Sequence, residues 1–332
     1  MLFVGILICL TILGYFSFKL IRTTRIYSYI RSATFPTIVY KKNFSIGIFV
    51  GASHTSFNPL VNFENPVLTA EDVADVPAVF VADPFILSNG SAMFMFFEVF
   101  NAKSRKGEIG LARSNDWFNW KYDQIVLSEP FHLSYPYVFE WENNIYMMPE
   151  SCEAEEVRLY KADDFPNKWT YLKTLKKGKY LDSSIFYYKQ VWWMFMSIGD
   201  DTLYLFFADN LMGTWQEHPM NPIISRDPHV ARPGGRVLVL DGKVIRFAQD
   251  DYPKYGLKVH GFEITELSKE VYSEKLVVDS LLKPSGIGWN ARGMHHICPC
   301  QIVENQWIAS VDGWSQRVKA FRKKRSFKWS EV

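Results

Sequence analysis

Five segments of this chain repeat one pattern, and that repetition limits the fold more than any other feature. Each opens with a short β-rich run, passes through a polar turn and closes with a run heavy in Trp, Tyr, Phe or Met. They read VFVADPFILSNGSAMFMFFEVF (79–100), HLSYPYVFEWENNIYMMPES (132–151), YLDSSIFYYKQVWWMFMSIGD (180–200), ARPGGRVLVLDGKVIRFAQDD (231–251) and HHICPCQIVENQWIASVDGW (295–314). Their starts fall about 50 residues apart, a period of propeller blades. Asn89-Gly90 and Asp241-Gly242 supply hairpin signals inside two of them.

Companion strands fill the intervals. GEIGLARS (107–114) is followed by Trp117 and Trp120, EVRLYKA (156–162) by Trp169, and TLYLFFAD (202–209) by Trp215; LKVHGFEI (257–264) is the fourth. Each unit is therefore a four-strand meander. Five such units closing radially make an all-β, five-bladed β-propeller, expected over residues 44–320. The run FSIGIFV (44–50) precedes the first blade and is placed to pair with the last, closing the ring. The aromatic content of 16% suits pleated, half-buried surfaces, and no sustained helical period follows residue 32.

Residues 1–18, MLFVGILICLTILGYFSF, carry no charge, and Lys19, Arg22, Arg25 and Arg31 follow. A basic n-region and a small-residue cleavage site are both missing. The expectation is an uncleaved transmembrane signal anchor over 1–22, a stem over 23–43 and a basic tail over 321–332. The basic cluster after the span favours a cytosolic flank. The sequons Asn43-Phe-Ser45 and Asn89-Gly-Ser91 favour the lumen. The reading adopted is a single-pass membrane protein of the Golgi or endoplasmic reticulum with a lumenal propeller. Lys plus Arg number 37 and Asp plus Glu 35, a balance that gives no case for nucleic acid. Cys9, Cys152, Cys298 and Cys300 lack metal-type spacing, since Cys298-Pro-Cys300 is tighter than a zinc hook. No metal and no cofactor are expected.

The innermost strands of a propeller line its channel. Their starts are unusually polar here: Asp83 on blade one, His132 and Tyr135 on blade two, Asp182 on blade three, Arg232 and Arg236 on blade four, His295 and His296 on blade five. The ends of the second strands add Glu98, Glu150, Gln249, Asp250 and Asp312. Singly, each has an ordinary explanation: Asp before Pro starts turns, and Asp before Ser-Ser caps them. Adjacent strand residues face opposite sides, so His295 and His296 are not expected to share one ion. Recurrence in all five blades is what points to a site. Charged and amide groups can bracket hydroxyls while aromatic faces stack on rings, which suits carbohydrate.

These stretches, with NPVLTAEDVADVPAVFVADPF (65–85), FPNKW (165–169), GTWQEHPMNPI (213–223) and SVDGW (310–314), resemble the N-terminal propeller domain of the plant glucosamine inositolphosphorylceramide transferases. The resemblance runs from about residue 44 to 314. It implies a propeller that accompanies a family 64 glycosyltransferase domain; no such domain follows here, so it implies the accessory half. More distantly, the chain resembles family 43 glycoside hydrolases, which use an Asp base on blade one, a second Asp on blade three and a Glu acid on blade four. Asp83 and Asp182 match the first two, whereas ARPGGR (231–236) has no carboxylate for the third.

Two functions follow as expectations. In the first, the propeller binds a glycan or an inositolphosphorylceramide-like glycolipid headgroup and serves a separate glycosyltransferase, with Arg232, Arg236 and His295 meeting phosphate. In the second, it is a glycoside hydrolase or transglycosidase acting through Asp83 and Asp182, with Glu150 or Glu98 as proton donor.

Overall fold

The computed structural model describes residues 37–321, with side chains from 42 to 316. Residues 43–315 make one compact unit. The described residues 37–42 and 316–321 belong to a second unit and are strand throughout. The expected anchor, most of the stem and nearly all of the basic tail lie outside the described residues. Among those described, no helix is long and apolar enough to cross a membrane. β1 begins at Thr37, inside the stretch assigned to the stem.

The first two strands, β1 (Thr37–Ser53) and β2 (Ser56–Pro59), are set aside for the last blade. Blade one follows as β3 (Ala78–Ser88), β4 (Met93–Asn101), β5 (Lys106–Ser114) and β6 (Lys121–Leu127). Blade two is β7 (Ser134–Trp141), β8 (Asn144–Glu150), β9 (Glu156–Asp164) and β10 (Lys168–Lys177). Blade three is β11 (Leu181–Tyr188), β12 (Val191–Ile198), β13 (Thr202–Ala208) and β14 (Gln216–Glu217). Blade four is β15 (Leu238–Leu240), β16 (Lys243–Asp250), β17 (Lys258–Leu267) and β18 (Tyr272–Leu282). Blade five joins β19 (Ile297–Val303) and β20 (Gln306–Phe321) to β1 and β2, in the order β19-β20-β1-β2. The chain is an all-β five-bladed propeller, and its N-terminal strand closes the ring.

Burial explains the strand sequences. The second strand of each blade packs on neighbouring blades through both faces, so it reads as a continuous apolar run rather than an alternation. In β4 and β12 almost every residue is buried. The outer strand β10 is mostly exposed or half-buried instead, with Trp169 and Leu175 buried. The tryptophans after the third strands share one task. Trp120, Trp169 and Trp215 are buried, and each indole N–H donates to a carbonyl of its own turn, at Trp117 (2.8 Å), Pro166 (3.0 Å) and Leu211 (3.4 Å).

Two side chains close the channel near its axis. The Tyr135 hydroxyl accepts from the Gly235 N–H (2.8 Å), donates to the Gly235 carbonyl (3.0 Å) and meets Ser184 (2.8 Å), tying blades two, three and four. Gly235 has φ +141, and a Cβ there would lie 1.8 Å from the Ile297 carbonyl oxygen, so only glycine fits. Arg236 donates through Nε to Cys298 Sγ (3.3 Å) and through one terminal nitrogen to the carbonyls of Ile86 (3.1 Å) and Val138 (2.8 Å). It thereby links blades one, two and five to its own.

Candidate functional site

The inner strands of the first three blades break at the same place. Their pairing register jumps from Ala82 to Phe85, from Ser134 to Tyr137 and from Leu181 to Ser184. Within each jump one residue turns left-handed: Asp83 (φ 53°), Tyr135 (φ 44°) and Asp182 (φ 46°). Such angles cost non-glycine residues on the order of 1–3 kcal/mol and collect at functional positions. The kink frees each residue's N–H from its own ladder, and a carboxylate of the preceding blade accepts it. Asp83 N–H donates to Asp312 Oδ2 (3.0 Å), Tyr135 N–H to Asp83 Oδ2 (3.3 Å) and Asp182 N–H to Glu150 Oε2 (3.4 Å). Blades are thus joined at their inner edge through acidic side chains.

Asp83 belongs to an inner strand, whereas Glu150 and Asp312 occupy a second-strand position that recurs from blade to blade and that Glu98 holds in blade one. Glu98 pairs with Ala82, Glu150 with Ser134 and Ser197 with Leu181. Gln249 N–H donates to the Arg232 carbonyl (2.8 Å) and Asp312 N–H to the His296 carbonyl (3.4 Å), completing the circuit. Blade three breaks the acidic and amide series with Ser197.

Blade four answers with a cation. Arg232 Nε donates to Asp182 Oδ2 (2.6 Å) and its terminal nitrogens lie 2.7 Å from Asp200 Oδ1 and 3.8 Å from Glu150 Oε2. Its guanidinium stacks 5.0 Å from the Tyr255 ring centre. Gln249 Nε2 donates to the same Asp182 oxygen (2.7 Å) and to the Pro233 carbonyl (2.7 Å). On blade five, His295 Nδ1 donates to Asp312 Oδ1 (2.7 Å), which also accepts the backbone N–H groups of His295 and His296. The ring nitrogens His295 Nε2 and His296 Nδ1 each lie 3.8 Å from Asp83 Oδ1.

Protonation follows from this wiring. Burial pushes Asp83 up to about 7, against the pull of His295. Glu98 and Glu150 are held well above the usual carboxylate range by burial and by neighbouring acids, Asp83 for the first and Asp182 for the second. Burial also opposes charge on Asp182, but Arg232 outweighs it and keeps that carboxylate below its ordinary value. His295 is buried, yet Asp312 raises it to about 9; burial takes His296 down to about 3. Asp83, His295 and Asp312 offer ligand atoms within 4.8 Å of one another.

Asp83, Glu98, Tyr135, Glu150, Asp182, Arg232, Gln249, His295, His296 and Asp312 therefore form one polar cluster at the inner ends of the blades, where the sequence placed the floor of a funnel. His132 stands at its edge, with Nδ1 accepting from Gly107 N–H (2.8 Å) and Nε2 3.5 Å from Glu98. Two candidates go elsewhere. Asp250 faces away, toward His229 (3.0 Å), His260 (3.4 Å) and Lys258 (3.5 Å), because it alternates with Gln249 along β16. Arg236 spends its donors on carbonyls and a thiol in the closed channel, so Arg232, Arg236 and His295 are not gathered as a phosphate site. The opposite-face rule also fails for His295 and His296: both precede β19, where the chain still wraps Asp312.

Sequence reasoning missed Asp251, Asp200 and Tyr255. Asp251 was legible, since it lies two residues from Gln249 just past the end of β16 and continues that alternation. Tyr255 sits in a loop and reaches the site edge-on to His295 (5.2 Å), which no periodicity signals. An aromatic wall was missed too: Phe44 stacks on His295 (4.8 Å) and touches Phe80 (5.7 Å) and Trp314 (6.2 Å).

Five four-stranded blades with acidic side chains at their inner edge define a five-bladed β-propeller. The fold matches the catalytic domain of the family 62 α-L-arabinofuranosidase of Coprinopsis cinerea, with a TM-score of 0.55 at 12% identity over 71% of this chain and 90% of that one. It also matches Zg3597, a family 117 glycoside hydrolase of Zobellia galactanivorans, with a TM-score of 0.50 at 12% identity over 85% and 91%. Residues 41–314 match the family described as glucosamine inositolphosphorylceramide transferase 1, N-terminal, and the chain belongs to that family. Glucosamine inositolphosphorylceramide transferase 1 of Oryza sativa subsp. japonica is 36% identical over 297 residues, covering 82% of this chain and 40% of the relative. The Arabidopsis thaliana protein of the same name is 33% identical over 299 residues, covering 82% and 39%. The chain thus spans about 40% of the length of these curated relatives.

Proposed function

We propose that this propeller binds a carbohydrate, as a free glycan or a glycolipid headgroup, without cleaving it. One observation carries the reading. On blade four, Arg232 and Gln249 occupy the ground beside Asp182 where a hydrolytic propeller of this kind would need an acid. Asp182 is neutralised by its partners, while the funnel and its aromatic wall are kept. Membership of a family named for a sphingolipid glycosyltransferase supports a role beside a separate transferase that acts on the presented ligand. The test is a glycan array with a panel of inositol-phosphate headgroups, read with intact protein. Saturable capture of one sugar class supports the proposal, and uniform blanks sink it.

A second reading has its own support. Burial and the neighbouring Asp182 hold Glu150 well above the usual carboxylate range, and it lies beside Asp182, as a general acid would. Asp83, with its carboxyl raised to about 7, would then be the base of a glycoside hydrolase or transglycosidase.

The cellular setting is proposed on sequence grounds: a single-pass anchor at 1–22 and a lumenal propeller in the Golgi or endoplasmic reticulum. Asn89 lies on an exposed hairpin turn, which suits glycosylation. Endoglycosidase treatment should shift the mobility of the protein. An unshifted band, with the domain digested by protease outside sealed vesicles, would place it in the cytosol.

A further inference from the structure

Three buried side-chain polar atoms among the described residues have no hydrogen-bond partner: Gln249 Oε1, Asp251 Oδ2 and His296 Nδ1. All three belong to the funnel floor, and all three are acceptors. Gln249 has both amide hydrogens committed to pure acceptors, Asp182 Oδ2 and the Pro233 carbonyl, so its amide cannot be turned and Oε1 is the oxygen. His296 Nε2 faces the Pro84 carbonyl at 3.1 Å and must carry the hydrogen, which leaves Nδ1 as a lone pair. Asp251 uses Oδ1 for the Gly256 N–H (2.7 Å) and leaves Oδ2 unmet. Leaving one buried acceptor unpaired costs more than a typical hydrogen bond returns, and here three sit in one site.

We propose that the floor recognises its ligand through hydrogens that the ligand donates, that is, through the hydroxyl face of a sugar or polyol ring and not through phosphate oxygens. This rests on the carbohydrate reading above and narrows it. Phosphate oxygens accept hydrogen bonds and would meet three more acceptors. They would also meet three acidic side chains, Asp83, Asp182 and Asp312, which already engage the cations Arg232 and His295. A ring hydroxyl donates and accepts at once. One oxygen can donate to His296 Nδ1 or Asp83 Oδ1 and accept from His295 Nε2–H, the nitrogens each standing 3.8 Å from that carboxylate oxygen. The three orphaned atoms are covered in the structure. For the ring to enter, the loop from 251 to 257, which carries Tyr255 over Arg232 and His295, has to lift.

The test uses the full chain in detergent with three probes: myo-inositol, methyl glucoside and inorganic phosphate, followed by ligand-observed NMR. The two polyols separate a lipid-type inositol ring from a glycan ring. The proposal expects one of them to bind, phosphate to leave it bound, and Asp251→Asn to weaken it about tenfold with Tm unchanged. That substitution keeps the Oδ1 contact and turns the orphaned acceptor into a donor. Phosphate that binds more tightly or displaces the polyol would overturn the inference in the wild-type protein alone, leaving carbohydrate binding standing. So would an Asp251→Asn protein that is folded and binds as before. Silence toward all three probes would remove the carbohydrate reading, and this inference with it.

Discussion

Arg232 and Arg236 lie four residues apart on blade four, about 13 Å along an extended chain, and the protein uses them in opposite ways. Around Arg236 nothing is left unmet. Its hydrogens go to Cys298 Sγ and two carbonyls, and its plane lies between the rings of Phe85 (5.6 Å) and Tyr137 (5.3 Å). Around Arg232 the carboxylates are paired, but three acceptors remain orphaned within the same shell of residues. One end of the channel is pinned by hydrogen bonds between blades, and the other keeps acceptors without a partner. Two half-buried arginines on one stretch of chain therefore give no hint, by type alone, of which one serves a ligand.

Deleting residues 1–55 should have the largest effect, because it strikes both ends alike. It removes β1 from blade five and leaves β2 without its partner, exposes sheet edges and takes Phe44 from the wall beside His295. The deleted protein should lose cooperative thermal unfolding. A sharp transition near that of the intact chain would show that the ring does not depend on its N-terminal strand.

Arg236→Met separates the two ends. It leaves two carbonyls and a thiol without their donor, and should destabilise the fold by about 3–5 kcal/mol. The folded fraction should bind ligand as before. Denaturant unfolding checks the first statement; a loss under about 1 kcal/mol would mean the pin is dispensable.

His295→Gln is smaller and shows in pH dependence. His295 is raised from 6.5 to about 9 in the folded protein. A raised pKa contributes stability that is fully present below pH 6.5 and lost as pH rises through about 9. Wild-type Tm should therefore decline across that window, and the variant should start lower and decline less. Parallel curves would mean that His295 does not carry the proton assigned to it.

The sequence disclosed the blade count because each blade repeats a hairpin of fixed length, and the closure because FSIGIFV has no blade of its own. It disclosed most of the floor because the same strand position recurs, from Glu98 through Glu150 and Gln249 to Asp312. It did not disclose the left-handed turns at Asp83, Tyr135 and Asp182. No glycine marks them, and their cost is met by contacts between blades distant in sequence, such as Asp83 N–H to Asp312. Asp250 was assigned to the funnel in place of Asp251 because charge was weighed without strand alternation. The pairing of Arg232 with Asp182 was out of reach for a related reason, as it joins two blades across fifty residues.

The central claim is that the funnel holds a sugar and leaves its bonds intact, and it is tested most directly by following a captured glycan over time. Wild-type protein and Asp83→Asn should be incubated with the glycan that the array selects, then read by mass spectrometry for bound mass and released fragments. The account predicts an unaltered glycan in both cases, with severalfold weaker capture by the variant, whose change removes charge but keeps shape. Fragments released by wild type and lost by orders of magnitude in Asp83→Asn, with capture retained, would contradict it and make Asp83 a catalytic base.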